Sequence, residues 1–286
     1  MKKIFQRLIV FFVGLPALLL LVLFLPHYNH LCLNLVVIVF SILGALEFRT
    51  ILGRKNLLIS LPETIILGGI SPIAWTVVVT FDLTGRNIVP GAFILGASWL
   101  LISGIFTTRE KLDLYIGRAV AGFAVMIYPG LFLAWLIQMT MFREAGTVIL
   151  TFLLVTLLND AFAWAAGVLF GKNNRGVLAA SPNKSIAGFA GGLSASLLAG
   201  AAAVILLPGI FKPLVIPPVP AGALLGLGAG IAAALGDLGE SALKRSAGVK
   251  DSGSLILGRG GALDSIDSVA LAAPVYYMLF RTLFQT

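Results

Sequence analysis

Ionisable side chains are scarce in this chain. Only 11% of its 286 residues are Asp, Glu, Lys or Arg, and it has one cysteine, Cys32, and two histidines, His27 and His30. A single cysteine excludes an intramolecular disulfide and argues against redox chemistry. The two histidines lie far along the chain from its charged cluster, so no Ser/His or Cys/His nucleophilic pair is suggested. No polar segment is long enough to hold a core of its own, which excludes a soluble domain. What is abundant is apolar: 59% of the residues are hydrophobic, the mean hydropathy is +1.03, and uncharged runs of about 20 residues recur from end to end. The composition predicts an all-α, polytopic integral membrane protein. The net charge of +8 then reads as topological bias and attraction to anionic head groups, not as nucleic-acid binding.

Nine transmembrane helices fit the hydropathy, at about 8–25, 31–51, 63–81, 91–106, 118–140, 147–170, 186–207, 221–243 and 266–284. Lys2, Lys3 and Arg7 ahead of the first run imitate a signal peptide, but Pro26-His27-Tyr28 ends it without a small-residue cleavage pattern, so it is read as a retained first helix. With the N-terminus cytoplasmic, sixteen of the 20 basic residues fall inside, leaving Arg86, Arg143, Lys212 and Arg281 outside. That orientation predicts a multi-pass protein of the inner (cytoplasmic) membrane. Residues 1–145 would be N-terminal helices that contact lipid and shape a cavity, and residues 146–286 a C-terminal transmembrane catalytic region. Five prolines between Leu207 and Pro220 predict a stiff outer connector. Gly188, Gly191, Gly192, Gly226, Gly228 and Gly230 are assigned to close helix packing.

The chemistry concentrates late. Between Gly236 and Ser268 stand Asp237, Glu240, Asp251, Asp264 and Asp267, with Lys244, Arg245, Lys250 and Arg259 and the glycines Gly258, Gly260 and Gly261. Asp237, Glu240, Ser241 and Lys244 share one helix face, and Asp264 and Asp267 are again three apart. Paired acids one turn apart suit a hard divalent cation such as Mg²⁺, which prefers oxygen ligands and keeps phosphate oxygens as partners. Asp160 lies inside the sixth span, where a carboxylate costs about 2.5–3.5 kcal/mol and needs a partner or a wet cavity; Asn159 is a lesser candidate. Ser181-Pro182 predicts a helix start, with Ser181 as N-cap, and with Lys172, Arg175 and Lys184 nearby it makes a phosphate cradle. Glycines at 258–261 permit close approach of backbone to a ligand.

The stretch from Ser241 through Lys244-Arg245, Lys250-Asp251-x-Gly253 and Gly258-x-Gly260-Gly261 to Asp264 and Asp267 closely resembles the C-terminal motif of the phosphatidate cytidylyltransferases (CDP-diacylglycerol synthases). Gly236-Asp237 and Glu240 match as well. Upstream, Asp160, Phe170-Gly171-Lys172, Ser181-Pro182-x-Lys184-Ser185, Gly188 and Gly191-Gly192 resemble that family's second block. The chain resembles a divergent member: Leu257, Arg259 and Ser265 stand where the pattern has proline, histidine and arginine, and Ile186-Ala187 where it has Trp-Glu. Losing the histidine removes a phosphate contact or proton carrier, although the Arg259 guanidinium is able to bind phosphate bidentately.

The resemblance implies that CTP and phosphatidate give CDP-diacylglycerol and pyrophosphate at a cytoplasm-facing site. On that reading Asp237, Asp264, Asp267, Lys250 and Asp251 are catalytic. Asp160, Asp237, Glu240, Asp264 and Asp267 hold Mg²⁺, with room for a second ion. Ser181, Lys184, Lys244, Arg245, Arg259, Gly260 and Gly261 bind substrate. The resemblance also suggests a homodimer. Two other readings fit the same residues: a CTP-dependent enzyme acting on another lipid or polyprenyl phosphate, and a paralogue that binds lipid or nucleotide with impaired turnover.

Overall fold

A computed structural model describes residues 13–256 and 260–284. Lys2, Lys3, Arg7, Leu257, Gly258 and Arg259 lie outside the described residues. Among those described no β-strand forms, only two isolated bridges, and eight helices are long and apolar enough to cross a membrane. Their ends fall within a few residues of the spans expected from hydropathy, except that the fourth, at the fifth expected span, runs Arg109–Met141. Of the expected first span, only helix α1 (Leu15–Phe24) belongs to the described part. The chain is an all-α, multi-pass membrane protein. It divides into two compact units, one of Met1–Met141 with Ser246–Ile266 and the other of Phe142–Arg245 with Asp267–Thr286.

The first unit contains α1, α2 (His27–Gly53), α3 (Leu61–Thr80), α4 (Ile88–Ile102), α5 (Tyr115–Val125) and α6 (Phe132–Gln138). Ser60 caps α3 in a box with Glu63, and Pro62 sits where its missing N–H costs nothing. Glu63 also accepts from Trp99 Nε1 at 3.0 Å and pairs with Arg118. Pro72 lies inside α3 and has no N–H to give the Gly68 carbonyl. Ser41, fully buried on α2, fills that gap: its Oγ donates at 2.7 Å to Gly68 O and, at the same distance, to Pro129 O in the π turn Met126–Leu131 that joins α5 to α6. One hydroxyl thus ties three segments at the point where two prolines interrupt helical bonding. Ser41→Ala is expected to lower stability by about 1–3 kcal/mol, the usual cost of orphaning a buried acceptor. Unfolding in detergent micelles checks it, and an unchanged midpoint would mean that Gly68 O has another donor.

The second unit contains α7 (Ala145–Phe170), α8 (Ile186–Leu206), α9 (Pro218–Ser246) and most of α10 (Leu263–Phe284). Glycine brings its helices into backbone contact. A Cβ on Gly226 would stand 2.0 Å from Ser196 O, and one on Gly200 2.1 Å from Gly222 O. At Gly191, Gly192 and Gly230 a Cβ would also come within 2.4–2.8 Å of a neighbouring helix, in keeping with the packing role expected of these glycines. Asn159 is buried and donates from Nδ2 to Ser196 Oγ at 2.9 Å and Gly230 O at 3.3 Å, which makes it a bolt between α7, α8 and α9. The proline-rich connector is not merely extended. Phe211 is buried edge-on against Phe280 and Phe284, and Leu214 N donates to Leu283 O at 2.8 Å.

Candidate functional site

Three acids of the second unit come from three helices. Asp237, on α9, accepts from Lys184 Nζ at 2.5 Å and from Ser241 Oγ at 3.5 Å. Asp267, on α10, takes Ser268 N on its Oδ1, and Ser268 Oγ in turn reaches Asp160 Oδ2 of α7 at 3.5 Å. Asp237 and Asp160 are near enough for their charges to act on Asp267. Gly236 makes this possible, because its missing side chain lets α9 approach Asp267 O to where a Cβ would be only 2.4 Å away. Lys184 brings the balancing charge and also lies 5.7 Å from the Phe189 ring centre.

Like charges gathered on an apolar scaffold favour a cation. The donors are hard carboxylate oxygens with neither thiolate nor imidazole among them, a set that fits Mg²⁺ better than a softer metal. Among the described residues, no three acidic, histidine or cysteine side chains enclose an ion by themselves. Mg²⁺ in general uses one or two carboxylates and completes its shell with water and substrate phosphate.

Two of the predicted residues on α9 pair with each other. Glu240 is almost fully buried and forms an ion pair with Lys244, one turn along the same helix. The structure therefore brings Glu240 to Lys244 and Asp237 to Lys184, although all four residues lie within one charged segment. Arg245, Lys250 and Asp251 are exposed. Arg259 lies outside the described residues.

In the first unit the described residues on either side of 257–259 are paired. Ile256 and Gly260 exchange backbone hydrogen bonds at 2.8 and 3.1 Å. Gly260 has φ +114°, a conformation for glycine, and a Cβ there would also strike Asp264 Oδ2. Asp264 Oδ2 accepts from Ser252 N (3.0 Å), Ser252 Oγ (2.9 Å) and Gly261 N (2.7 Å). Asp264 thus ties Ser252 and Gly261 to the start of α10, and the Gly261 amide is engaged by protein.

Glu47 was missed by sequence reasoning. From α2 its Oε1 accepts Ala262 N at 2.9 Å, and its Oε2 accepts Leu263 N at 2.9 Å and Ser252 Oγ at 2.8 Å. A signal existed, since the rule that raised Asp160, an acid within an apolar span, applies equally to Glu47.

The helix start expected at Ser181-Pro182 is corrected. Helix α8 begins at Ile186, and Ser185 is its N-cap, accepting from Gly188 N at 3.0 Å. Ser181 instead opens a turn, with Lys184 N bonded to Ser181 O at 3.1 Å and Pro182 at the turn's second position. Proline suits that position as well as a first helical one. Gly176 N to Pro182 O and Ile186 N to Asn174 O fold the segment into a compact loop that delivers Lys184 to Asp237.

A model of the cytidylyltransferase family matches residues 5–283. The chain is 33% identical over 195 residues to the phosphatidate cytidylyltransferase of Thermotoga maritima, covering 67% of this chain and 68% of that protein. It is 43% identical over 132 residues to the phosphatidate cytidylyltransferase of Synechocystis, 44% of this chain and 43% of the relative. It is also 37% identical over 151 residues to the uncharacterized protein YnbB of Escherichia coli, 52% and 48% of the two chains. In the last two matches the chain spans less than half the relative's own length.

Proposed function

The chain belongs to the cytidylyltransferase family, and from that premise we propose that it transfers a cytidylyl group from CTP to phosphatidate, as the names of its Thermotoga and Synechocystis relatives suggest. A phosphatidate oxygen attacks the α-phosphorus of CTP in line. The bond from that phosphorus to the bridging oxygen breaks, and pyrophosphate leaves. Such a reaction asks little covalent work of the protein and much positioning and charge neutralisation. The observation that carries the reading is the group formed by Asp160, Asp237 and Asp267 on three helices, with Lys184 bound to one of them.

On this proposal one or two of Asp160, Asp237 and Asp267 would hold Mg²⁺, which would offset phosphate charge when bound. Lys184 is bonded to Asp237 in the present structure and would pass to a phosphate oxygen when nucleotide binds. Lys244, paired with Glu240, and the exposed Arg245 keep the substrate-binding roles that the motif implies, as do the exposed Lys250 and Asp251 of the first unit their catalytic ones. Asp264 shapes the glycine loop. The site would face the cytoplasm from the inner membrane, as the bias of basic residues suggests. A homodimer is the assembly the family resemblance suggests.

One observation favours a different acceptor lipid. Ser265 stands where the pattern has arginine, and its hydroxyl is bonded to Gly261 O at 3.2 Å, so a phosphate contact is replaced by a local one. Purified protein incubated with labelled CTP, Mg²⁺ and defined lipid phosphates separates the readings. CDP-diacylglycerol from phosphatidate is expected, lost on adding EDTA and restored by excess Mg²⁺. Product only from another lipid or polyprenyl phosphate supports the second acceptor, and nucleotide binding without product would overturn turnover altogether.

A further inference from the structure

Glu47 does more than fill space beneath the loop. Helix α10 starts at Leu263, and the N–H groups just before and at its first residue have no partner within the helix. A side chain from the residue ahead of the helix usually caps such groups. Here that place is held by Ala262, which has nothing to offer. The carboxylate comes instead from α2, with one oxygen on Ala262 N and the other on Leu263 N, placing negative charge at the positive end of the helix. Partner and helix are 216 residues apart in sequence.

The same carboxylate dictates the composition of the loop. A Cβ at Gly261 would stand 2.1 Å from Glu47 Oε2 and from Ser252 Oγ, and one at Gly253 would stand 2.3 Å from Glu47 Oε1. Ser252 Oγ has one proton and lies 2.8 Å from Glu47 Oε2 and 2.9 Å from Asp264 Oδ2, so it links the two carboxylates. Asp264 in turn holds Gly261 N. The amides of Ala262 and Leu263 thus meet Glu47 directly, and Asp264 is linked to it through Ser252.

We infer that Glu47 is a positioning residue for the transfer reaction: from α2 it caps helix α10 and fixes the turn that carries Asp264. The inference rests on the proposed reaction for its catalytic consequence, but not for the capping itself. Glu47 touches backbone and Ser252, never the reacting atoms.

Two measurements on the full-length protein in lipid nanodiscs test it. In Glu47→Ala, amide hydrogen exchange over residues 261–264 is expected to accelerate, and kcat per folded molecule to fall by about 10- to 100-fold, as for other supporting contacts behind a ligand. KM for CTP should move less than threefold, roughly, because phosphate-binding lysines are untouched. Glu47→Gln keeps one acceptor and almost the same volume, so it guards against a folding failure and should fall between wild type and Ala in both measurements. Glu47→Ala with wild-type exchange at 261–264, or with faster exchange and unchanged kcat, overturns the inference. If the wild-type protein makes no CDP-lipid, the reaction reading fails, and the exchange measurement still decides whether Glu47 caps α10.

Discussion

Asp267→Asn is expected to reduce CTP-dependent lipid labelling by on the order of a thousandfold, about 4 kcal/mol of barrier. Asparagine matches the shape of aspartate and can hydrogen-bond in its place, but it lacks the charge that Asp267 adds to Asp237 and Asp160. The same change removes repulsion among three like charges, so stability without metal should hold or rise. Mg²⁺ should raise the melting temperature of the wild-type protein by mass action, and Asp267→Asn should lose most of that rise. Activity and metal-free stability thus move apart, which a merely misfolded variant would not show. Normal labelling with an undiminished Mg²⁺ response would remove Asp267 from the site.

Gly226→Leu should be the most destructive single change in the second unit. The Gly226 position packs directly on the Ser196 carbonyl, and a Cβ there would lie 2.0 Å from that oxygen. Neither atom is the end of a flexible side chain, so α8 and α9 must separate. The nearby contacts Gly200 to Gly222 and Asn159 to Ser196 would open with them. Overpacking of this kind typically costs 1–3 kcal/mol, and a rigid backbone pair puts this case at about 3 or above. Gly226→Ala should show a smaller loss in the same direction. Thermal unfolding in detergent, followed by tryptophan fluorescence or size-exclusion recovery, checks both. A Gly226→Leu protein as stable as wild type would mean that the two helices are able to slide apart at little cost.

Much of the helical frame was legible from hydropathy alone, because a bilayer core demands about 20 apolar residues per crossing and tolerates few charges. The same rule picked out Asp160. Helical spacing and motif resemblance picked out Asp237 and Asp267, and the structure brings the three within electrostatic reach of one another. Local sequence was less informative where two turn chemistries share residues. Ser181-Pro182 fits a helix start and a turn equally well, and only the bonds from Gly176 to Pro182 and from Asn174 to Ile186 chose the turn. Glu240 and Asp237 look alike in the sequence, one helical turn apart. Their difference lies in which lysine is nearby, Lys244 on the same helix or Lys184 from the preceding loop.

The sequence by itself determined that this is a chain of membrane-crossing helices with its acids gathered late, since burial of apolar length and the high cost of unpaired charge are local properties of composition. Tertiary structure alone decided that Glu47 caps α10, that Ser41 replaces the N–H missing at Pro72, and which acid meets which lysine. Those outcomes depend on hydrogen-bond partners as many as 216 residues away, and a hydrogen bond a few ångströms long is fixed by packed helices rather than by neighbours along the chain.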